Sequence, residues 1–75
     1  MPDGRIGRNV TADAAIGAFQ KMGFEIDRVR GSHYILLHPD GRRVTIPRHR
    51  VVKPGLLLDQ LKKLGISWAE FQDNL

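Results

Sequence analysis

The hydrophobic repeat of this chain changes period twice, and that change limits the folds open to it. Between Ala12 and Met22, the apolar residues Ala12, Ala15, Ile16, Phe19 and Met22 recur at spacings of three and four, as on one face of an amphipathic helix. Thr11 stands where a hydroxyl can cap that helix, Asp13 suits its positive end, and Gly23 is placed to stop it. From Phe24 the period falls to two. Phe24 and Ile26 alternate with Glu25 and Asp27, Gly31-Ser32 makes a turn, and His33 to His38 supplies a second strand. Pro39-Asp40-Gly41 is a strong turn signal, and Arg43 to Pro47 reads as a third strand with Val44 and Ile46 on one face. After Lys53-Pro54 the helical spacing returns with Leu57, Leu61 and Leu64, and Gly65 closes it. Ser67-Trp68-Ala69-Glu70 fits a capping box for a short last helix that carries Trp68 and Phe71.

The resulting order, α-β-β-β-α-α, predicts an α+β fold: a two-layer sandwich with an antiparallel meander under helices on one face. Phe24, Ile26, Val44 and Ile46 are expected to face the helices, together with Tyr34 and Leu36. His33, Ile35 and Leu37 then fall on the open face. Residues 1–10 read as a flexible arm and residues 11–75 as a single domain. A chain of 75 residues without cysteine has a small core and no disulfide framework to reinforce it. Three histidines and no cysteine also make a poor set for structural zinc, so no metal site is expected. No apolar run approaches the ~20 residues of a membrane-spanning helix, and MPDGRIGRNV lacks an apolar signal segment. The expectation is a cytoplasmic protein with no membrane contact.

The charge is concentrated in the middle third. Arg28, Arg30, Arg42, Arg43, Arg48, Arg50 and Lys53 stand there against Asp40 alone, a net +6, whereas the remainder carries −2. All three histidines (His33, His38, His49) lie in the same stretch. A local basic patch is what phosphate binding requires. The same charges also fit the solvated rim of a hairpin.

Phosphate-binding glycine loops, nucleophile elbows and zinc-protease motifs are all absent from the sequence. What remains is Gly31-Ser32-His33, a histidine directly after a tight turn, beside Arg30 and followed along the hairpin by Arg42 and Arg43. RNA cleavage needs little more. The substrate's own 2′-hydroxyl is the nucleophile, so the protein must take a proton and stabilise charge on the phosphate. Histidine, with a reference pKa of about 6.5, suits the first task. Arginines suit the second. The ordinary alternative is a histidine that only packs or caps a strand end. His38 is expected to pack at its strand end, and His49 to touch phosphate or a partner. Tyr34 and Trp68 are expected to serve the core rather than to stack bases.

Taken together, MGFEIDRVRGSHYILLHPDGRRVTIPRH and KPGLLLDQLKKLGIS resemble the HicA-like (YcfA-type) mRNA interferase toxins over roughly residues 15–67. The resemblance implies a double-stranded-RNA-binding-domain-like fold, metal-independent cleavage of mRNA, growth arrest, no cofactor, and neutralisation by a HicB-type antitoxin. It places the catalytic histidine at His33. Arg28, Arg30, Ser32, Arg42, Arg43, Arg48, His49, Arg50 and Lys53 are the expected RNA contacts. Homo-oligomers stay open. The second helix departs from the family pattern: Leu56-Leu57-Leu58 cannot all be buried with Leu61 and Leu64, and Gln60 stands where an aliphatic residue is expected. Other functions compatible with the residues are a non-catalytic RNA-binding module, which shares the fold but does not need His33, and a protein-interaction domain using the open face. A DNA-binding helix-turn-helix is disfavoured because the strands separate the helices.

Overall fold

The computed structural model describes residues 10–48 and 51–75. Their order is β1 (Val10–Thr11), α1 (Ala12–Lys21), β2 (Glu25–Arg30), β3 (His33–Leu37), β4 (Arg43–Pro47), β5 (Val51–Val52), α2 (Pro54–Leu64) and α3 (Trp68–Asp73). The expected helices and three-stranded meander are present, in the sheet order β2-β3-β4. Two short strands are added. β1 pairs with β5 in a separate antiparallel ribbon, Val10 opposite Val52 and Thr11 opposite Val51. Val10, assigned to the arm from sequence, is therefore part of the domain and buried. The other arm positions, 1–9, and the predicted contacts His49 and Arg50 lie outside the described residues.

Local chemistry sets the helix ends. The Thr11 hydroxyl accepts the Ala14 amide at 3.1 Å, and the Ser67 hydroxyl accepts the Glu70 amide at 3.1 Å. Two helices stop by the same device. Gly23 donates to the Gln20 carbonyl and Phe24 to that of Phe19, while Gly65 donates to Lys62 and Ile66 to Leu61. In each case a glycine at positive φ (101° at Gly23, 72° at Gly65) turns the chain back and pays off the last helical carbonyls. The residue after each glycine then packs into the core. Phe24 meets Phe19 edge-on, with ring centroids 5.3 Å apart.

Phe19, Phe24, Leu36, Val44, Ile46, Val52, Leu57, Leu61 and Phe71 are fully buried, with Met22, Tyr34 and Trp68 packed at the margin. Tyr34 and Trp68 thus serve the core, as expected. Alternation along β3 turns Leu36 inward and leaves His33 and Leu37 exposed, as expected. Ile26 is the exception. It shares the inner face with its partner Leu36 yet is 41% exposed, and every residue of β2 is exposed. On that inner face α1 packs at the β4 end of the sheet, so β2 extends beyond the helix layer. A bulge at Asp27 shifts the β2–β3 register between Ile26 and Arg28.

α2 runs beside β4. Leu57, Leu61 and Leu64 face the core, Leu58 is half-buried, and Leu56 is left 51% exposed. Gln60 is no misfit in this position. Its amide donates to the Thr45 carbonyl at 2.9 Å and its oxygen lies 3.5 Å from the Thr45 amide. It thereby occupies the outer edge of β4, which a hydrocarbon side chain would leave unpaired. Among the described residues, no helix is long and apolar enough to cross a membrane.

Candidate active-site cleft

His33 opens β3 directly after the Gly31-Ser32 turn. Its cross-strand neighbours are Arg30 on β2 and Pro47 on β4, so the three side chains share the open face. On the Pro47 side lies a cleft of about 420 Å³, lined by His33, Thr45, Pro47, Val51, Lys53, Leu56 and Gln60. Three elements meet there. β4 contributes Thr45 and Pro47, β5 and the following residue contribute Val51 and Lys53, and α2 contributes Leu56 and Gln60, four residues apart on one helix face. Lys53 is the N-cap residue of α2, and Pro54 occupies the first turn. The first intrahelical bond runs from the Leu57 amide to the Lys53 carbonyl. The amides of Gly55 and Leu56 precede it and are among the donors a helix leaves unpaired at its start. The cleft mouth thus holds a lysine together with the positive end of a helix.

The expected RNA contacts separate into two groups. Arg30, Ser32, His33 and Lys53 belong to the turn or the cleft. Arg28 is on the open face opposite Ile35, its Nε donating to Asp27 at 3.0 Å. Arg43 is also on that face, but opposite Leu37 at the other end of β3. Four residues of strand separate it from His33, about 13 Å. Arg42 lies beyond it and is engaged in holding the fold. It donates through Nε to Asp40 at 2.8 Å and through Nη1 to the Leu64 carbonyl at 2.8 Å, and its guanidinium sits 5.4 Å from the centre of the Phe24 ring. The sequence adjacency that suggested Arg42 and Arg43 beside His33 is undone by the hairpin, which places strand ends far apart that are close in sequence only at the turn.

Arg48 also departs from a simple phosphate contact. Its amide donates to the Ser32 carbonyl at 2.7 Å, its Nη1 to the Gly31 carbonyl at 3.2 Å, and its guanidinium lies 5.7 Å from the Tyr34 ring centre. It fastens the turn that presents His33. Its Nε is buried without a partner among the described residues. His38 packs as expected, its ring 5.1 Å from that of Phe24, and its Nδ1 accepts the Asp40 amide at 3.1 Å.

Thr45, Pro47, Val51, Leu56 and Gln60 are cleft residues that the sequence alone did not single out as site residues. Leu56 and Gln60 did carry a signal, since each breaks the apolar pattern of α2. Nothing local marks Thr45 or Val51, because the cleft forms only when β4, β5 and α2 meet.

The fold is thus a small α+β domain in which a histidine and a lysine line one open cleft. A family model described as HicA toxin of bacterial toxin-antitoxin matches residues 12–66. The chain belongs to the HicA toxin family. The match spans α1 to the end of α2, including His33 and the whole cleft. No curated protein matches the chain.

Proposed function

We propose that the chain is the toxin of a type II toxin-antitoxin pair and acts as a histidine-dependent, metal-independent endoribonuclease on mRNA, arresting growth. The observation that carries this reading is the position of His33: exposed at the rim of a cleft, opposite Arg30, with Lys53 and the start of α2 in the same cleft. An RNA phosphate seated at the helix start would be held by Lys53 and the free amides of the first turn. His33 would accept the proton of the 2′-hydroxyl as its oxygen bonds to phosphorus. The bond to the 5′-oxygen then breaks, and that oxygen takes a proton from solvent, leaving a 2′,3′-cyclic phosphate and a free 5′-hydroxyl. Arg30 would offset charge on the non-bridging oxygens. Arg28 and Arg43 would guide the flanking strand along the open face, and Ser32 would contact it at the turn. The partner would be a HicB-type antitoxin that covers His33 with an acidic or hairpin-filling surface.

The test is cleavage of a labelled mixed-sequence RNA with EDTA present, wild type beside His33→Ala. Wild type should cut, and His33→Ala should lose at least about a hundredfold in rate, the lower range for a general base, while binding RNA as before. If neither cuts and both bind with the same salt dependence, the chain is a non-catalytic RNA-binding module.

A further inference from the structure

The two edges of the main sheet are treated differently. Gln60 covers the outer edge of β4, whereas β2 makes no backbone hydrogen bond to any described residue other than its partner strand. Ladder alternation fixes which β2 groups are free. Thr45 faces outward to Gln60, so its partner Ile35 turns toward β2 and bonds Arg28; the next residue, Val29, then turns its amide and carbonyl outward. Ile26, opposite Leu36, does the same. The free edge therefore presents two residues with outward backbone groups, and both carry exposed apolar side chains, Ile26 at 41% and Val29 at 48%.

The sequence of this edge matches itself when reversed. Set antiparallel to a second copy about an axis between Asp27 and Arg28, β2 pairs Glu25 with Arg30, Ile26 with Val29, and Asp27 with Arg28. Opposite charges meet, apolar residues meet, and the strand is neutral in a chain of net charge +4. The faces also agree. Ile26 and Val29 both lie on the inner face, opposite Leu36 and Tyr34, while Glu25 and Arg30 both lie on the open face, opposite Leu37 and His33. Moreover, Ile26 and Val29 are the two residues with outward backbone groups, so they would form the hydrogen-bonded pairs of the new ladder. The Asp27 bulge falls at the axis, leaving the flanks to make the pairing.

We propose that β2 is a self-docking edge through which two copies of this chain join into one six-stranded sheet, β4-β3-β2-β2-β3-β4. Two Ile26–Val29 contacts close the inner side of the joint. On the open side, Glu25 of each copy meets Arg30 of the other, the residue beside His33, so both clefts stand on one continuous face. The proposal is independent of the ribonuclease reading.

Sedimentation equilibrium of the full chain alone, from micromolar to millimolar concentration, tests it. The 8.5 kDa monomer should give way to a species of twice that mass. Arg30→Glu and Glu25→Arg should each weaken association by about tenfold or more, since like charges then face each other twice. The double exchange Glu25→Arg with Arg30→Glu should restore it. Because the chain has no cysteine, register can be read by oxidation. An equal mixture of Ile26→Cys and Val29→Cys chains should form covalent dimers far more readily than either variant alone, whose thiols would sit three residues apart across the joint. A chain that stays monomeric overturns the proposal. So does a dimer indifferent to the charge reversals, or cross-linking of either single variant as efficient as that of the mixture.

Discussion

The two ends of the β3–β4 hairpin each hold an arginine that sequence assigns to RNA, and each uses it differently. At the turn end, Arg42 is spent on the fold: Asp40, the Leu64 carbonyl and the Phe24 ring take up its donors and its face. His38 completes this end by wedging against Phe24 beside Gly23. At the open end, Arg48 bonds the carbonyl oxygens of the Gly31-Ser32 turn and lies over Tyr34. One end is locked to a helix 22 residues away in sequence. The other fixes a single turn and leaves His33 beside a cleft. A hairpin can thus be rigid where it meets the core and still present a reactive side chain at its far end.

The largest effect should come from breaking the closed end at Gly23. A Cβ there would lie 2.8 Å from His38 Nε2, and φ is +101°, where side chains are strained. Gly23→Ala should cost about 2–4 kcal/mol, the sum of backbone strain and forced repacking, as read by urea unfolding. An effect below about 1 kcal/mol would show that His38 moves aside freely. Arg42→Ala should cost less, about 1–2 kcal/mol for the lost bond to the Leu64 carbonyl. The salt dependence of RNA binding should not change with it.

The open end is sharpened by comparing two cations. Lys53→Ala should reduce the slope of log affinity against log salt by about one, as expected for a lost phosphate contact. Arg48→Ala should leave that slope unchanged and slow RNA cleavage by about tenfold, through a misplaced His33 turn. A reduced slope with Arg48→Ala would return this residue to the phosphate contacts.

The smallest effect concerns pH. The Arg42 backbone amide, together with its guanidinium, holds the Asp40 carboxyl below its ordinary value, outweighing the opposing effect of desolvation. A depressed folded-state pKa gives stability that is fully present above about pH 3.9, the usual unfolded value. It is lost as the pH falls through the lower folded value. Wild type should therefore lose thermal stability more steeply than Asp40→Asn as the pH drops below that point. Parallel curves would mean that the Asp40 contacts are not made in solution.

What sequence reveals here follows the distance over which each feature is decided. Thr11, Gly23, Gly65 and Ser67 act within one turn, so the helix boundaries they set are readable. The inward choice of Leu36 over Ile35 follows from the pleat once its neighbours Val44 and Ile46 are placed. The β1–β5 ribbon is not readable, because Val10–Thr11 and Val51–Val52 are two-residue strands joined across more than half of the chain. Ile26 reads as core because alternation says which face a residue is on, but not how far the helices reach over it. For the cleft, His33 and Lys53 were recognisable by type and position. Arg42 and Arg48 were not, since charge does not say whether a guanidinium faces a phosphate or a backbone carbonyl.

The pairing of Val10 with Val52 also sets a schedule for synthesis. The first strand of the domain leaves the ribosome early, yet its partner follows some forty residues later, and a contact so distant in sequence forms late. Lys53, Leu56 and Gln60 emerge later still. His33 is therefore synthesised before the residues that complete its cleft, and a prematurely terminated product would carry the histidine without the site.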